Sequence, residues 1–302
     1  MIALGDYLHM LWPTRLSQWR PRTSAERSWV AILPDIAFFT LRATRIAAAA
    51  ALLGALAGPA ALAADETATP TLKCQVSLDL VRLAHPLPRL AKKLAAGDPI
   101  TIVAIGSSST AGAGASSPAA SYPSRLQAEL AAHFPRNKIT MINRGVGGEE
   151  IKDMLRRFDT AVIAEHPDLV LWQLGTNSVI RDHPVIDHGA WIRDGINQIK
   201  LEGSDLILID PQFAPKVIAK PEAVRMVELI AETAKVESVD LFQRFEVMRR
   251  WHMVDRLAFD TFVSADGLHM NDWSYACVAK VLASAIVEAG TRPVASASAL
   301  PR

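Results

Sequence analysis

The stretch that most constrains this chain is Ile100 to Gly114, Ile-Thr-Ile-Val-Ala-Ile-Gly-Ser-Ser-Ser-Thr-Ala-Gly-Ala-Gly. Five of its first six residues are apolar and most are β-branched. Such a run reads as a strand buried on both faces, inside a sheet covered by helices. It halts at Gly106, meets three serines, and passes Gly112 and Gly114 before a helical pattern starts near Ser121. A small-residue turn after the first buried strand is where an open α/β sheet places its chemistry. Two chemistries compete for it, a phosphate cradle and a serine nucleophile. A P-loop closes on a Lys followed by Ser or Thr, and none stands here. A dinucleotide fingerprint needs G-x-G-x-x-G, and Gly112-Ala-Gly-Ala-Ser-Ser117 breaks it at the last position. The serines and glycines could equally do no more than cap a helix and turn the chain.

Downstream the alternation is regular. Helical periodicity covers 121–134, with Leu126, Leu130 and Phe134 on one face, and a strand covers 138–146. A helix is expected over 149–165, a strand over 167–174, a helix over 187–201 and a strand over 205–210. Then come a helix over 221–235 with Pro221 in its first turn, a short strand over 238–242, and helices over 245–254 and 273–289. Strands that are nearly all apolar, alternating with helices, mean a parallel sheet covered on both faces. Leu72 to Leu94, split by Pro86 and Pro88, suggests short helical pieces on the outside.

The amino-terminal third reads differently. Residues 1–41 hold three tryptophans and several arginines without a clean amphipathic pattern, and form an uncertain leader. Arg42 and Arg45 precede an apolar core from Ile46, followed by Gly58-Pro59 and Ala61-Leu62-Ala63. A positive flank, a short apolar core and a small-x-small site describe a secretory signal peptide over 42–64, with the mature chain starting near Ala64 or Asp65. The core is short for a membrane span, so no stable span is expected after cleavage. Residues 65–98 form a linker with helical pieces, 99–290 the folded domain, and 291–302 a disordered tail. Export, periplasmic or extracellular, would place Cys74 and Cys277, the only two cysteines, in an oxidising compartment, where they should form a disulfide. A net charge of +1 without a basic stripe makes nucleic acid a poor partner, and the cysteine spacing matches no zinc motif.

Four features fall where parallel strands end, and therefore on one rim. Ser108 follows the first strand, Gly148 the second and Asn177 the third, while Asp266 and His269 share a polar loop before the last helix. Acyl transfer needs a nucleophile, a base, a group that orients the base, and donors for an oxyanion. Asp266-Gly-Leu-His269 can bring a carboxylate to the imidazole Nδ1 and leave Nε2 to face a serine. A helix-capping Asp beside a casual His would produce the same spacing.

Taken together the blocks resemble the SGNH or GDSL hydrolase family: Gly106-Ser-Ser-Ser-Thr-Ala-Gly112, Asn143-Arg-Gly-Val-Gly-Gly148, Gly175-Thr-Asn-Ser178 and Asp266-Gly-Leu-His269, in the right order. The resemblance implies a flavodoxin-like three-layer α/β/α sandwich with a five-stranded parallel sheet. It implies Ser108 as nucleophile, His269 as base and Asp266 as its orienter. The oxyanion hole would be the Ser108 N–H, the Gly148 N–H and the Asn177 amide, with no cofactor and no metal. The chain departs from the family pattern at Ser107 and Ser178, where aspartates are usual, and neither position belongs to the triad. The GxSxG elbow of α/β-hydrolases is absent. The implied activity is hydrolysis of carboxylic esters, acetyl or short acyl, on glycans or lipids. An envelope-glycan acyltransferase using the same residues, or a ligand-binding domain that kept the pocket, are the alternatives. The other histidines carry no usable partner spacing, and His183 and His188 are expected in a solvated loop that could border the cleft. Trp172 is expected in the core, and Trp273 either walls the pocket or packs under the last helix.

Overall fold

The computed structural model describes Cys74 and residues 76–293. The segments read as leader and signal peptide, residues 65–73 and 75 of the linker segment, and most of the tail lie outside the described residues. Two short helices open the described part, α1 (Leu78–Val81) and α2 (Pro88–Ala96). Then follow β1 (Ile100–Gly106), α3 (Ser108–Ala111), α4 (Tyr122–His133) and β2 (Ile139–Gly145). The middle holds α5 (Ile151–Leu155), α6 (Phe158–Ala161), β3 (Leu169–Gln173), α7 (Thr176–Ile180), α8 (His188–Glu202) and β4 (Asp205–Ile209). The last part holds α9 (Pro215–Ile218), α10 (Ala223–Val236), β5 (Asp240–Phe242), α11 (Arg244–Met253), α12 (Phe259–Phe262) and α13 (Asp272–Thr291).

The sheet has five strands in the order β2-β1-β3-β4-β5, and all its pairs are parallel. Ile100 pairs with Ile139, Ile102 with Leu169, Leu169 with Asp205 and Ile207 with Asp240. Ile102 to Ile105, Leu169 to Trp172 and Ile207 to Leu208 are wholly buried, as strands covered on both faces must be. Each large side chain so buried is worth roughly 1.5–3 kcal/mol of transfer free energy. α4 packs against α13, while α8 packs against α5 and α10. The strand order reverses between β1 and β3, so the crevice of this sheet opens at their carboxyl ends. Ser108 and Asn177 stand there.

Three local expectations need correction. The helix expected over 149–165 is broken into α5, α6 and a 3₁₀ turn at Ile163–Glu165. At the break Arg157 has φ −118 and ψ 11, outside the helical region. Its guanidinium turns back to Glu149, with Nε 2.8 Å from Oε1, and to the Arg144 carbonyl at 2.8 Å. Pro221 does not open a helix. It follows α9 and precedes Glu222, the N-cap of α10. A proline disfavours helix in the residue before it, which separates the two helices at Lys220. His188 is buried, with Nδ1 3.2 Å from the Val185 carbonyl, and burial lowers its pKa.

Cys74 and Cys277 form a disulfide with Cα atoms 5.4 Å apart. It closes a loop spanning 203 residues of sequence, worth about 5 kcal/mol on the chain-entropy model. No helix among the described residues is long and apolar enough to cross a membrane.

Candidate active site

The three serines after β1 have three different fates. Ser107 is buried, and both its N–H, at 2.9 Å, and its hydroxyl, at 3.0 Å, donate to Oε1 of Gln173 in β3. Ser109 is also buried. Ser108, the first residue of α3, is partly exposed, and its Oγ lies 2.8 Å from His269 Nε2. As a first-turn residue its N–H has no partner inside the helix. The Ser107 departure thus has a local explanation, because the side chain at this position is spent on the turn and not on the cleft.

The imidazole is held by the loop that carries it. Val263 and Met270 form an antiparallel bridge, and the Ser264 N–H donates to the His269 carbonyl at 2.8 Å. Inside the loop Asp266 Oδ1 accepts from the Ser264 hydroxyl at 2.8 Å and from the Leu268 and His269 N–H groups at 2.9 Å each. Asp266 Oδ2 takes His269 Nδ1. Burial by itself would raise this carboxyl, but the His269 side chain, the two N–H groups and Ser264 outweigh it and hold the pKa well below the usual carboxylate range. Asp266 is therefore the anionic partner of the imidazole. It fixes the tautomer in which Nδ1 carries the proton, and Nε2 is left to accept from Ser108. Just beyond, Asn271 caps α13, accepting from Ser274 N–H at 3.1 Å, so the helix begins directly after the loop.

The glycines after the serines serve close approach. A Cβ on Gly114, which sits at φ +86, would lie 2.4 Å from the Met270 carbonyl oxygen and 2.9 Å from His269 Cβ. Only glycine lets the serine turn lie against the histidine loop. Two further bonds fasten the same junction. Tyr275 donates its hydroxyl proton to the Ala113 carbonyl at 2.6 Å, and Ser116 N–H donates to Asp272 at 2.8 Å.

On the other side of Ser108 lies the turn after β2. A Cβ on Gly147 would stand 4.0 Å from Ser108 Cβ. Gly148 has φ +80, the left-handed region that side-chain-bearing residues rarely adopt. Asn177, in the first turn of α7, donates from Nδ2 to the Glu149 carbonyl at 2.8 Å. One of its two amide protons therefore ties the β3 turn to the β2 turn.

Beside this pair Glu150 gathers three donors: Ser178 Oγ at 2.9 Å, Arg181 Nη1 at 2.6 Å and His183 Nδ1 at 2.9 Å. Burial pushes the Glu150 carboxyl up, but His183, Arg181 and Ser178 together bring it below its ordinary value. The Ser178 departure is so accounted for. The carboxylate here comes from Glu150 of the neighbouring turn, and Ser178 is its donor. Arg181 Nη2 lies 3.4 Å from where a Gly148 Cβ would be, at the edge of the cleft.

All five site residues named from the sequence thus stand on one rim, and hydrogen bonds join Ser108, His269 and Asp266 in line. Sequence reading missed Gln173, Glu150 and a buried group behind the rim. There Arg244, fully buried, donates from Nε to the Asp210 carbonyl at 3.0 Å and from Nη2 to Gln212 Oε1 at 2.9 Å. Burial pushes the Asp210 carboxyl up to about 7, with the Phe245 N–H and Arg244 restraining it. His183, read as a loop residue without a partner, is a Glu150 ligand, half exposed. Trp172 is core, and Trp273 packs edge-to-face on Trp251 at 5.0 Å beneath the start of α13. Among the described residues no group of three or more His, Cys, Asp or Glu side chains could hold a metal ion.

A model of the non-GDSL lipase-like family matches residues 73–292. No curated protein matches the chain. Among solved structures, a two-domain esterase active on acetylated mannans superposes with a TM-score of 0.62 at 21% identity, over 75% of this chain and 60% of its own. This chain therefore spans about 60% of that protein's length. An acetylxylan esterase from Geobacillus stearothermophilus gives 0.53 at 18% identity, over 62% of this chain and 94% of its own. A lipase/acylhydrolase from Enterococcus faecalis gives 0.53 at 23%, over 63% and 96%. At these identities the likeness to solved structures is one of fold.

Proposed function

The chain belongs to the non-GDSL lipase-like family and has the SGNH-type fold, and on that premise we propose that it is a serine esterase acting on acetyl or short acyl esters. The observation that carries the reading is His269: Nε2 lies 2.8 Å from Ser108 Oγ while Nδ1 is bound to Asp266. In this mechanism Ser108 Oγ attacks the ester carbonyl and His269 Nε2 takes its proton. The oxyanion is met by the Ser108 and Gly148 N–H groups and by the free proton of the Asn177 amide. Collapse expels the alcohol, which takes the proton back from His269, and leaves an acyl group on Ser108. Water repeats the sequence, releasing the acid and restoring the serine. Asp266 keeps the imidazole oriented and offsets its charge when protonated. No step calls for a cofactor or a metal.

Acetylated glycans are the substrates named for the mannan and xylan esterases that share the fold, and they are the class proposed here. The disulfide supports an exported protein, with the signal peptide over 42–64 and the hydrolase domain over 99–290. The test is release of acid from a panel of acyl esters of increasing chain length and from acetylated glycans, each with and without an acceptor sugar. Free acetate from the short esters and the glycans is the expected product. Acyl transfer to the sugar at the expense of free acid would make the chain a transferase, and silence on the whole panel would remove the enzymatic reading.

A further inference from the structure

One buried amide behind the rim touches both halves of the site. Gln212, in the turn after β4, is 1% exposed. Its Oε1 accepts from Thr176 Oγ1 at 3.0 Å and from Arg244 Nη2 at 2.9 Å. Its Nε2 donates to the Leu268 carbonyl at 3.2 Å. Thr176 is the residue before Asn177, and Leu268 the residue before His269. The two segments are almost a hundred residues apart in sequence, one following β3 and the other lying between α12 and α13. Gln212 spans the gap between them with one rigid, planar group.

The orientation of that group is fixed. An amide can present oxygen or nitrogen to either side, but Arg244 has only donors, so the oxygen must face it. Arg244 is itself fixed by its bond from Nε to the Asp210 carbonyl. The nitrogen is then forced toward Leu268. A carbonyl beside the base and a hydroxyl beside the oxyanion donor are thus held at a set distance by a part that touches neither substrate nor reacting atoms.

We propose that Gln212 is a positioning residue for acyl transfer, fixing the His269 loop against the Asn177 turn. The proposal rests on the esterase reading above. Acyl transfer needs the base and the oxyanion donors in register, and a misplacement of about 1 Å can cost roughly a hundredfold in rate. The simpler role for Gln212 is to satisfy buried Arg244 and nothing more.

Gln212→Glu separates the two roles. The glutamate keeps acceptors for Thr176 and Arg244 and adds a favourable charge next to the guanidinium. It also places an oxygen where Nε2 met the Leu268 carbonyl, which pushes the His269 loop away. We expect a variant that still folds, whose kcat is lower by about 10–100-fold with KM changed by less than about twofold. The proton NMR signal of His269 Nδ1–H should shift or broaden in the same variant. Thr176→Val, which cuts only the Asn177 side, should lower kcat several-fold and leave that signal in place. A Gln212→Glu protein with kcat and the His269 signal both unchanged overturns the proposal, whatever its stability. If the parent itself hydrolyses no ester, the esterase reading fails, while the His269 signal still reports whether Gln212 holds the loop.

Discussion

The two edges of the sheet use the same residue type for opposite ends. At the amino-terminal edge, Asp168, Asp205 and Asp240 are all buried. Asp205 accepts the Leu90 N–H at 2.8 Å, Asp240 the His85 N–H at 2.9 Å, and Asp168 the Thr101 N–H and Arg89 Nε at 3.0 Å each. At the carboxyl edge, Asp266 and Glu150 are equally surrounded by donors, but their partners include His269 and His183. The difference lies in what the donor does next. A backbone N–H is spent once it is bonded, so the first edge is a closed anchor for α2 and the chain before it. An imidazole has a second nitrogen, so the bond from Asp266 continues through His269 to Ser108 Oγ. A carboxylate becomes part of a reaction only when its partner can hand the interaction on.

Ser108→Ala breaks the comparison most severely at the carboxyl edge. Esterase turnover should fall by about 10⁵–10⁶-fold, because nucleophile and base act as a unit, while the melting temperature stays near the parent's. If Ser107→Ala or Ser109→Ala is the inactive, folded variant instead, the assignment within the three serines is wrong. Asn177→Ala comes next. Removing a donor aimed at developing charge costs about 10²–10³ in turnover, roughly 3–4 kcal/mol, with KM little changed. Because Asn177 also donates to the Glu149 carbonyl, the variant should lose some stability as well, so turnover must be read per folded molecule. Near-normal turnover per folded molecule would leave Asn177 a tie between turns.

The sequence made much of this legible. The apolar runs of β1, β3 and β4 announce themselves without any partner, and strand ends on one rim follow from parallel topology. Ser108, Gly148, Asn177, Asp266 and His269 sit in blocks short enough to be seen locally. Gln212 was invisible for the opposite reason: its bonds reach Arg244, Thr176 and Leu268, at sequence separations of 32, 36 and 56 residues, and no period or spacing marks them. Glu150 stands in the Gly-Gly-Glu-Glu run, but only the fold brings Ser178, Arg181 and His183 to it. The split between α5 and α6 was hidden too, since the residues keep an apolar helical spacing while Arg157 leaves the helix to bind Glu149.

The smallest expected effect sharpens the comparison at the anchoring edge. Burial raises the Asp205 carboxyl from 3.8 to about 6, against the opposing pull of the Leu90 and Arg89 N–H groups and the Arg89 charge. The folded state then holds this proton more tightly than the unfolded chain does. Its contribution to stability falls as pH rises from about 4 to about 6 and is level above that. Asp205→Asn cannot titrate, so across that window the stability difference between the two proteins should move about 2–3 kcal/mol in the variant's favour. A constant loss from the missing acceptor is superimposed on it. Denaturant midpoints at several pH values measure the change, and parallel curves would contradict it. Turnover per folded molecule should be the same in both proteins, as befits a carboxylate whose partners end with it.

The central claim is that Ser108 is a nucleophile activated through His269 and Asp266. Reaction of the parent protein with a fluorophosphonate, followed by mass mapping of the adduct, tests it most directly. The account predicts one adduct, on Ser108, formed far more slowly in Asp266→Asn and absent in Ser108→Ala. An adduct on Ser107 or Ser109, or a folded parent that forms none, would contradict it.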